Sequence, residues 1–370
     1  VGSEMCIRDR CRKEDIIIPS TDTDVTQGTS TESIKGFFLL NEGNMGNNKA
    51  TLDYFDYETG VYTKNIYAER NPGVVKELGD VGNDLQIYGN KLYAVINCSH
   101  FVEVMDVETA KHITQISIPN CRYLAFDKGY AYVSSYAGPV QLDPNARLGY
   151  VAKVDTVSLS VIDTCVVGYQ PEEMVITGNK LYVANSGGYR FPNYDNTVSV
   201  IDLETFKEIK KIEVAINLHR MVIDKNGYIY VSSRGDYYDI PSKTLIIDSK
   251  TDKVVREIPN LPNSEMALCG DSLYVYSTEW SYLTNSNTIT YAIYDTEVGE
   301  VVTRNFITDG TEKDIDIPYG VAINPENKEF YVTDAKNYVT PGKLHCYSID
   351  GKRKWSVTTG DIPVSYTHLT

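Results

Sequence analysis

Apolar and polar positions along this chain follow a pattern that keeps returning. From Gly178 to Gly188 a tight turn (Gly178, Asn179, Lys180) leads into an alternating run of Leu181, Tyr182 and Val183. A polar loop then opens at Asn185, Ser186 and Gly187. Turn residues, a short apolar run centred on an aromatic and a second polar break predict one strand between two connections. Lined up on the aromatic, related strings fall at Phe38, Tyr93, Tyr132, Tyr182, Tyr230, Tyr274 and Tyr331. Seven copies at intervals of roughly forty to sixty residues predict a radial or stacked repeat fold.

Each copy is followed by a second apolar strand that closes on an aspartate and a turn, at Asp56, Asp106, Asp155, Asp202, Asp248, Asp295 and Asp350. A third strand comes next, for example residues 207–214, and a short loop then enters the following repeat through a run such as Met174, Val175 and Ile176. Entry strand, aromatic strand, aspartate strand and outer strand make four per repeat. Seven such units predict an all-β, seven-bladed β-propeller of four-stranded blades. The blade beginning at Lys35 has no entry strand of its own, so a C-terminal segment after Thr359 is expected to close the ring.

The ends change the domain boundaries. Residues 1–10 and 364–370 read as translated adapter sequence and are set aside from the fold. With the native closing strand cut after Pro363, a weakened seam is expected, although Val364 and Tyr366 imitate its alternation. Residues 11–34 begin with Cys11, Arg12, Lys13, Glu14 and Asp15 and continue rich in Ser, Thr and Asp. They read as a lipidated cysteine followed by a flexible tether, which would anchor the protein to a membrane without a span. The propeller itself occupies residues 35–363.

Composition narrows the partners. A net charge of −15 and a pI near 4.8 oppose nucleic-acid binding, which is carried by Lys and Arg. Apolar runs are strand-sized, so no transmembrane helix is expected. Tyrosine outnumbers phenylalanine 29 to 9, which suits strands whose ring is buried while the hydroxyl reaches water or a ligand. Cys98, Cys121, Cys165, Cys269 and Cys346 have no zinc-site spacing. Cys98 and Cys121 are candidates for a disulfide, and the others read as buried thiols.

Strand direction alternates within a blade, so tight turns gather on one face and long connections on the other. The long loops are 42–50, 98–102, 135–150, 185–197, 234–244, 278–288 and 334–342. They carry Tyr136, Tyr189, Arg190, Phe191, Tyr194, Tyr237, Tyr238, Trp280, Tyr282 and Tyr338, with Tyr319 in a connection between blades. Long loops on a rigid scaffold are where binding is expected. Aromatics among amides and charges suit a large neutral organic ligand. Asn83, Asp84, Arg122, Tyr136, Tyr189, His219, Arg220, Arg234, Tyr237, Glu265, Trp280, Tyr319 and Lys336 are the candidate ligand contacts. Arg122, Arg220 and Arg234 either bridge blades or meet the ligand. His219 lacks a nucleophile motif beside it, and no catalytic residues are expected. Asp84, Glu172, Glu173 and Glu265 enter from different blades and would be the ring for Ca²⁺ in a lyase or lactonase, but no Ca²⁺-loop spacing supports a metal.

The strings Gly-Asn-Lys-Leu-Tyr-Val-Ala-Asn (178–185) and Val-Ser-Val-Ile-Asp-Leu-Glu-Thr (198–205) resemble those of YncE-like seven-bladed propellers over residues 35–363. The opening from Gly36 to Gly46 and the segment Gly360 to Pro363 are similar to surface cobalamin-binding lipoproteins of the BtuG type from Bacteroidota. That resemblance implies a non-enzymatic, lipid-anchored protein of the outer-membrane surface. It would capture a corrinoid (vitamin B12) on the loop face and pass it to a TonB-dependent transporter, with no catalytic cofactor. A surface glycan competes as ligand, because Tyr and Trp stack on sugars equally well.

Overall fold

The computed structural model describes residues 19–29, 33–74, 77–281 and 285–370; Cys11 and Tyr282 lie outside them. Six antiparallel sheets of four strands and one of five follow one another around a central axis. The second blade shows the common plan: Gly82–Tyr88 innermost, then Lys91–Ile96, Phe101–Asp106 and His112–Ser117. The seven-bladed propeller read from the repeats is the architecture found.

The apolar runs are continuous because every blade is covered on both faces. In the strand Lys91–Ile96, Leu92, Ala94 and Ile96 pack toward the first blade, while Tyr93 and Val95 pack toward the third. Period-two alternation therefore sorts side chains between two neighbours rather than between core and water. The same sorting recurs at every blade junction, giving seven clusters, one per junction. The repeated aromatics Phe38, Tyr93, Tyr132, Tyr182, Tyr230, Tyr274 and Tyr331 are all buried in these clusters.

The aspartates after the third strands close the tight turns. Asp202 Oδ1 accepts the backbone N–H groups of Glu204 (3.0 Å) and Thr205 (2.8 Å). Asp106 and Asp155 do the same in their own turns. A short side chain that bonds the backbone two or three residues on is what makes Asp recur here.

The first blade is sewn from both ends of the chain. Pro363–Leu369 is its innermost strand, paired antiparallel with Gly36–Asn41 from Gly36↔Leu369 to Asn41↔Pro363 with one shift of register. Residues 364–369, set aside in the reading of the sequence, thus occupy the closing strand. Val364 packs into the junction with the second blade and Tyr366 into that with the seventh. Residues 21–24, read there as part of a polar tether, form a fifth and outermost strand, Thr21–Asp24, on Val61–Lys64. The loop expected over 278–288 is instead mostly strand. Ser272–Ser281 and Ser286–Asp295 extend the sixth blade as a long hairpin that lifts Trp280, opposite Asn287, beyond the ring. No helix among the described residues is long and apolar enough to cross a membrane.

Candidate functional site

A defect in the innermost strands places the polar side chains at the mouth of the channel. In six of the seven, the pairing with the second strand slips at the same place, near the end on the long-loop face. The slips fall at Asn83, Arg122–Tyr123, Glu172–Glu173, His219–Arg220, Tyr319 and Val364. A bulge re-aims the residues it releases, and here the charged ones turn toward the axis, whereas Val364 packs into the junction with the second blade. Five of these innermost strands are entered through a left-handed residue, namely Val81, Asn120, Gln170, Asn217 and Ile362.

The released charges pair across blades. Glu172, fully buried, receives Arg122 Nε at 3.1 Å, Arg234 Nη2 at 3.2 Å and the hydroxyl of Tyr136. Arg220 lies between Glu173 (3.2 Å) and Glu265 (2.6 Å). Of the two uses open to Arg122, Arg220 and Arg234, each is engaged in bridging blades. The guanidinium of Arg122 also sits 5.0 Å from the ring centre of Tyr136, and Arg220 5.0 Å from that of Tyr123. Burial alone pulls these arginines down, but Glu172 lifts Arg122 well above its ordinary value, and Glu173 with Glu265 does so for Arg220. Burial pushes Glu173 and Asp84 up and Glu265 up to about 7, with Arg220 opposing in each case.

His219 Nε2 lies 2.9 Å from the hydroxyl of Tyr123. Burial, then Arg234, Arg220 and Arg122, hold its pKa well below the usual histidine range, so the imidazole is neutral. Its Nδ1 meets no partner among the described residues. Asp84 accepts the backbone N–H groups of Leu85 and Leu124 and the side chain of Gln86. The carboxylates weighed as a Ca²⁺ ring therefore face arginine or backbone donors. No group of three or more metal-capable side chains occurs among the described residues.

The remaining candidates do not join these ion pairs. Tyr189 packs edge-on against Tyr136, ring centres 5.5 Å apart. Asn83 donates to the carbonyl of Arg122 at 2.5 Å. Tyr319 donates to Glu42 at 2.8 Å, whose carboxyl burial pushes up to about 7. Lys336 is held by Asp334 (2.8 Å) and Asp316 (2.9 Å) of the seventh blade. Tyr237 and Trp280 stand on the rim, 57% and 50% exposed. Cys98 and Cys121 are both free thiols. Cys121 is buried with its sulfur toward the carbonyl of Phe101 (3.4 Å), while Cys98 leans on Asn97 in the loop, so the expected disulfide does not form. Cys165 and Cys346 are buried as expected, and Cys269 is half-buried.

Exposure separates the two faces. Six described aromatics are more than a third exposed: Phe191, Tyr228, Tyr237, Tyr238, Trp280 and Tyr338. All but Tyr228 lie on the long-loop face. Phe191 of the fourth blade leans toward Tyr238 of the fifth, ring centres 6.3 Å apart. Two cavities among the described residues bear on this face. One of about 270 Å³ follows the channel past Asp84, Glu173, Arg220 and Glu265, small beside the ~300–1,000 Å³ usual for an organic ligand. The other, of about 660 Å³, lies under the long loop of the third blade.

These blades, closed through a C-terminal strand, define a seven-bladed β-propeller. Residues 35–359 match the family described as a domain of unknown function, DUF5074, and the chain belongs to that family. No curated protein matches it. Among solved structures it is similar to hydrazine synthase of Kuenenia stuttgartiensis, with a TM-score of 0.60 at 20% identity over 73% of this chain and 77% of that one. A quinonprotein alcohol dehydrogenase-like protein of Bacteroides thetaiotaomicron aligns with a TM-score of 0.57 at 17% identity, over 90% and 77%. The computationally designed protein Ika8 aligns with a TM-score of 0.55 at 12% identity, over 91% and 92%. At such identities the likeness is one of fold.

Proposed function

We propose that this is a binding protein whose long-loop face takes up a large, mostly uncharged organic molecule, a corrinoid, without performing chemistry on it. The observation that carries this reading is the gathering of exposed aromatics on one face, five of six, above a centre whose charges are internally paired. Such a surface offers broad apolar contact, which suits a ligand rich in side amides and poor in charge. The resemblance of residues 36–46 and 360–363 to cobalamin-binding surface lipoproteins points the same way. It extends the proposal to a lipid anchor at Cys11, a place at the outer-membrane surface and delivery to a TonB-dependent transporter.

Calorimetric titration with cyanocobalamin, set against a panel of oligosaccharides, tests it. Cyanocobalamin is expected to bind, with affinity nearly independent of salt. Trp280→Ala and Tyr237→Ala should each weaken it by about 1–3 kcal/mol, while Asn179→Ala on the tight-turn face leaves it unchanged. Arg220 and Arg234 are committed to carboxylates, so their truncation is expected to reduce stability more than affinity. No heat with cyanocobalamin together with clear glycan binding would move the function to a sugar-binding propeller.

A further inference from the structure

The cavity under the long loop of the third blade is separate from the aromatic rim and has a chemistry of its own. Its walls include His100 and Pro119 from the second blade's connections, and Ala137, Pro139, Asp143 and Arg147 from the long loop. The loop is tied down at several points. Asn120 Nδ2 donates to the carbonyl of Gly138 at 3.1 Å, the backbone N–H of Asp143 donates to the carbonyl of Tyr189 at 2.8 Å, and the guanidinium of Arg147 donates to the carbonyl of Ala137. These bonds hold the pocket open from three neighbouring blades, as a pre-formed ligand site requires.

The polar groups in it are specific. His100 Nδ1 accepts the backbone N–H of Asn120 at 2.9 Å, so the ring proton sits on Nε2 and the imidazole is a neutral donor. Arg147 commits one of its five N–H groups to Ala137 and remains exposed. Asp143 Oδ1 caps the turn at Asn145 (2.9 Å), and an ionised carboxylate has acceptor sites beyond one such bond. One cation, one anion and a neutral donor give the pocket no net charge, with donors and an acceptor both present. Pro119 and Pro139, both exposed, supply rigid apolar walls.

We infer that this pocket binds a planar, uncharged ring bearing an amide edge. The ring would lie between the proline walls, its carbonyl accepting from Arg147 and His100 and its N–H donating to Asp143. An anionic ring of the same shape would meet Asp143 unfavourably, and a puckered sugar would fit the flat walls less well. The inference stands on this pocket alone and does not require the ligand of the rim to be a corrinoid.

Nicotinamide, nicotinate and glucose are suitable probes, titrated into the full chain by ligand-observed NMR. Nicotinamide is expected to bind saturably, with nicotinate about tenfold weaker and glucose silent. Asp143→Asn should reverse the order, weakening nicotinamide and strengthening nicotinate. Ala146→Trp, at the pocket wall, should abolish both. The double variant Trp280→Ala, Tyr237→Ala should leave nicotinamide binding intact. Equal affinity for nicotinamide and nicotinate, no saturation at millimolar nicotinamide, or an Asp143→Asn variant with unchanged preference would overturn the inference. Thermal unfolding of each variant separates loss of the pocket from loss of the fold.

Discussion

Glu172 is the residue on which the centre of the ring converges, since two arginines of other blades and the Tyr136 hydroxyl meet its carboxylate. Replacing it by Leu leaves two poorly solvated guanidinium groups without a counter-charge, and breaking such a pair costs about 3–5 kcal/mol. Chemical denaturation is expected to show a loss of that size for Glu172→Leu. The double change Arg122→Met, Glu172→Leu should recover part of it, because removing both partners also removes one desolvation cost. No recovery would place the interaction mainly with Arg234. At this scale the sequence was partly legible. The paired polar residues Glu172–Glu173 and His219–Arg220 interrupt otherwise apolar strands, and that interruption marks them as facing the axis. Tyr123 and Glu42 left no such mark, since an aromatic or a loop carboxylate occurs at many repeat positions. Of the walls of the 660 Å³ cavity the sequence marked only Tyr136, because an irregular loop imposes no period on its other residues.

The second strand of each blade was the most legible element, because its aromatic is buried at a fixed place in every copy. What repetition conceals is that the hydroxyls differ. Tyr182 donates to Asp252 at 2.6 Å, an acceptor that also meets Lys180, whereas the hydroxyl of Tyr93 has no partner among the described residues. Tyr182→Phe is therefore expected to lower stability by about 1–3 kcal/mol, as a bond to a charged group is lost. Tyr93→Phe should be neutral or slightly stabilising, because a buried hydroxyl without a partner is removed. Equal losses in urea denaturation would contradict the difference. Elements that do not repeat were missed. The outermost strand Thr21–Asp24 is four polar residues held by backbone pairing and one side-chain bond, from the Thr63 hydroxyl to Asp22. The sixth-blade hairpin looked like a loop because Asn285, Ser286 and Asn287 favour turns and its strands run out beyond the core.

For the molecule as a whole, the centre sets how stability responds to pH. Burial raises Glu42 and Glu265 to about 7 and moves Asp53, Asp84 and Glu173 upward. A carboxyl raised in the folded state binds protons that the unfolded chain has already lost. Its stabilisation is therefore present below the ordinary carboxyl range and lost as pH rises through the raised value. His219, His345 and His368 are depressed, the last two to about 4, chiefly by burial. They act in the opposite sense, gaining stability as pH rises toward the ordinary histidine value. Self-repulsion at a net charge of −15 adds to the carboxyl trend. The urea midpoint is expected to fall between about pH 5 and about pH 8, and Glu265→Gln to flatten that fall. A slope unchanged by Glu265→Gln would reject its share. The seam of the ring carries a further consequence, for biosynthesis. Gly36–Asn41, every residue of it buried, leaves the ribosome long before its inner neighbour, which is made only when residues 363–369 are translated. Throughout elongation an apolar strand edge of Phe37, Phe38, Leu39 and Leu40 stands uncovered, the kind of edge that recruits other chains. The nascent chain must therefore be shielded, or kept scarce, until that strand emerges, and the ring can lock only after that.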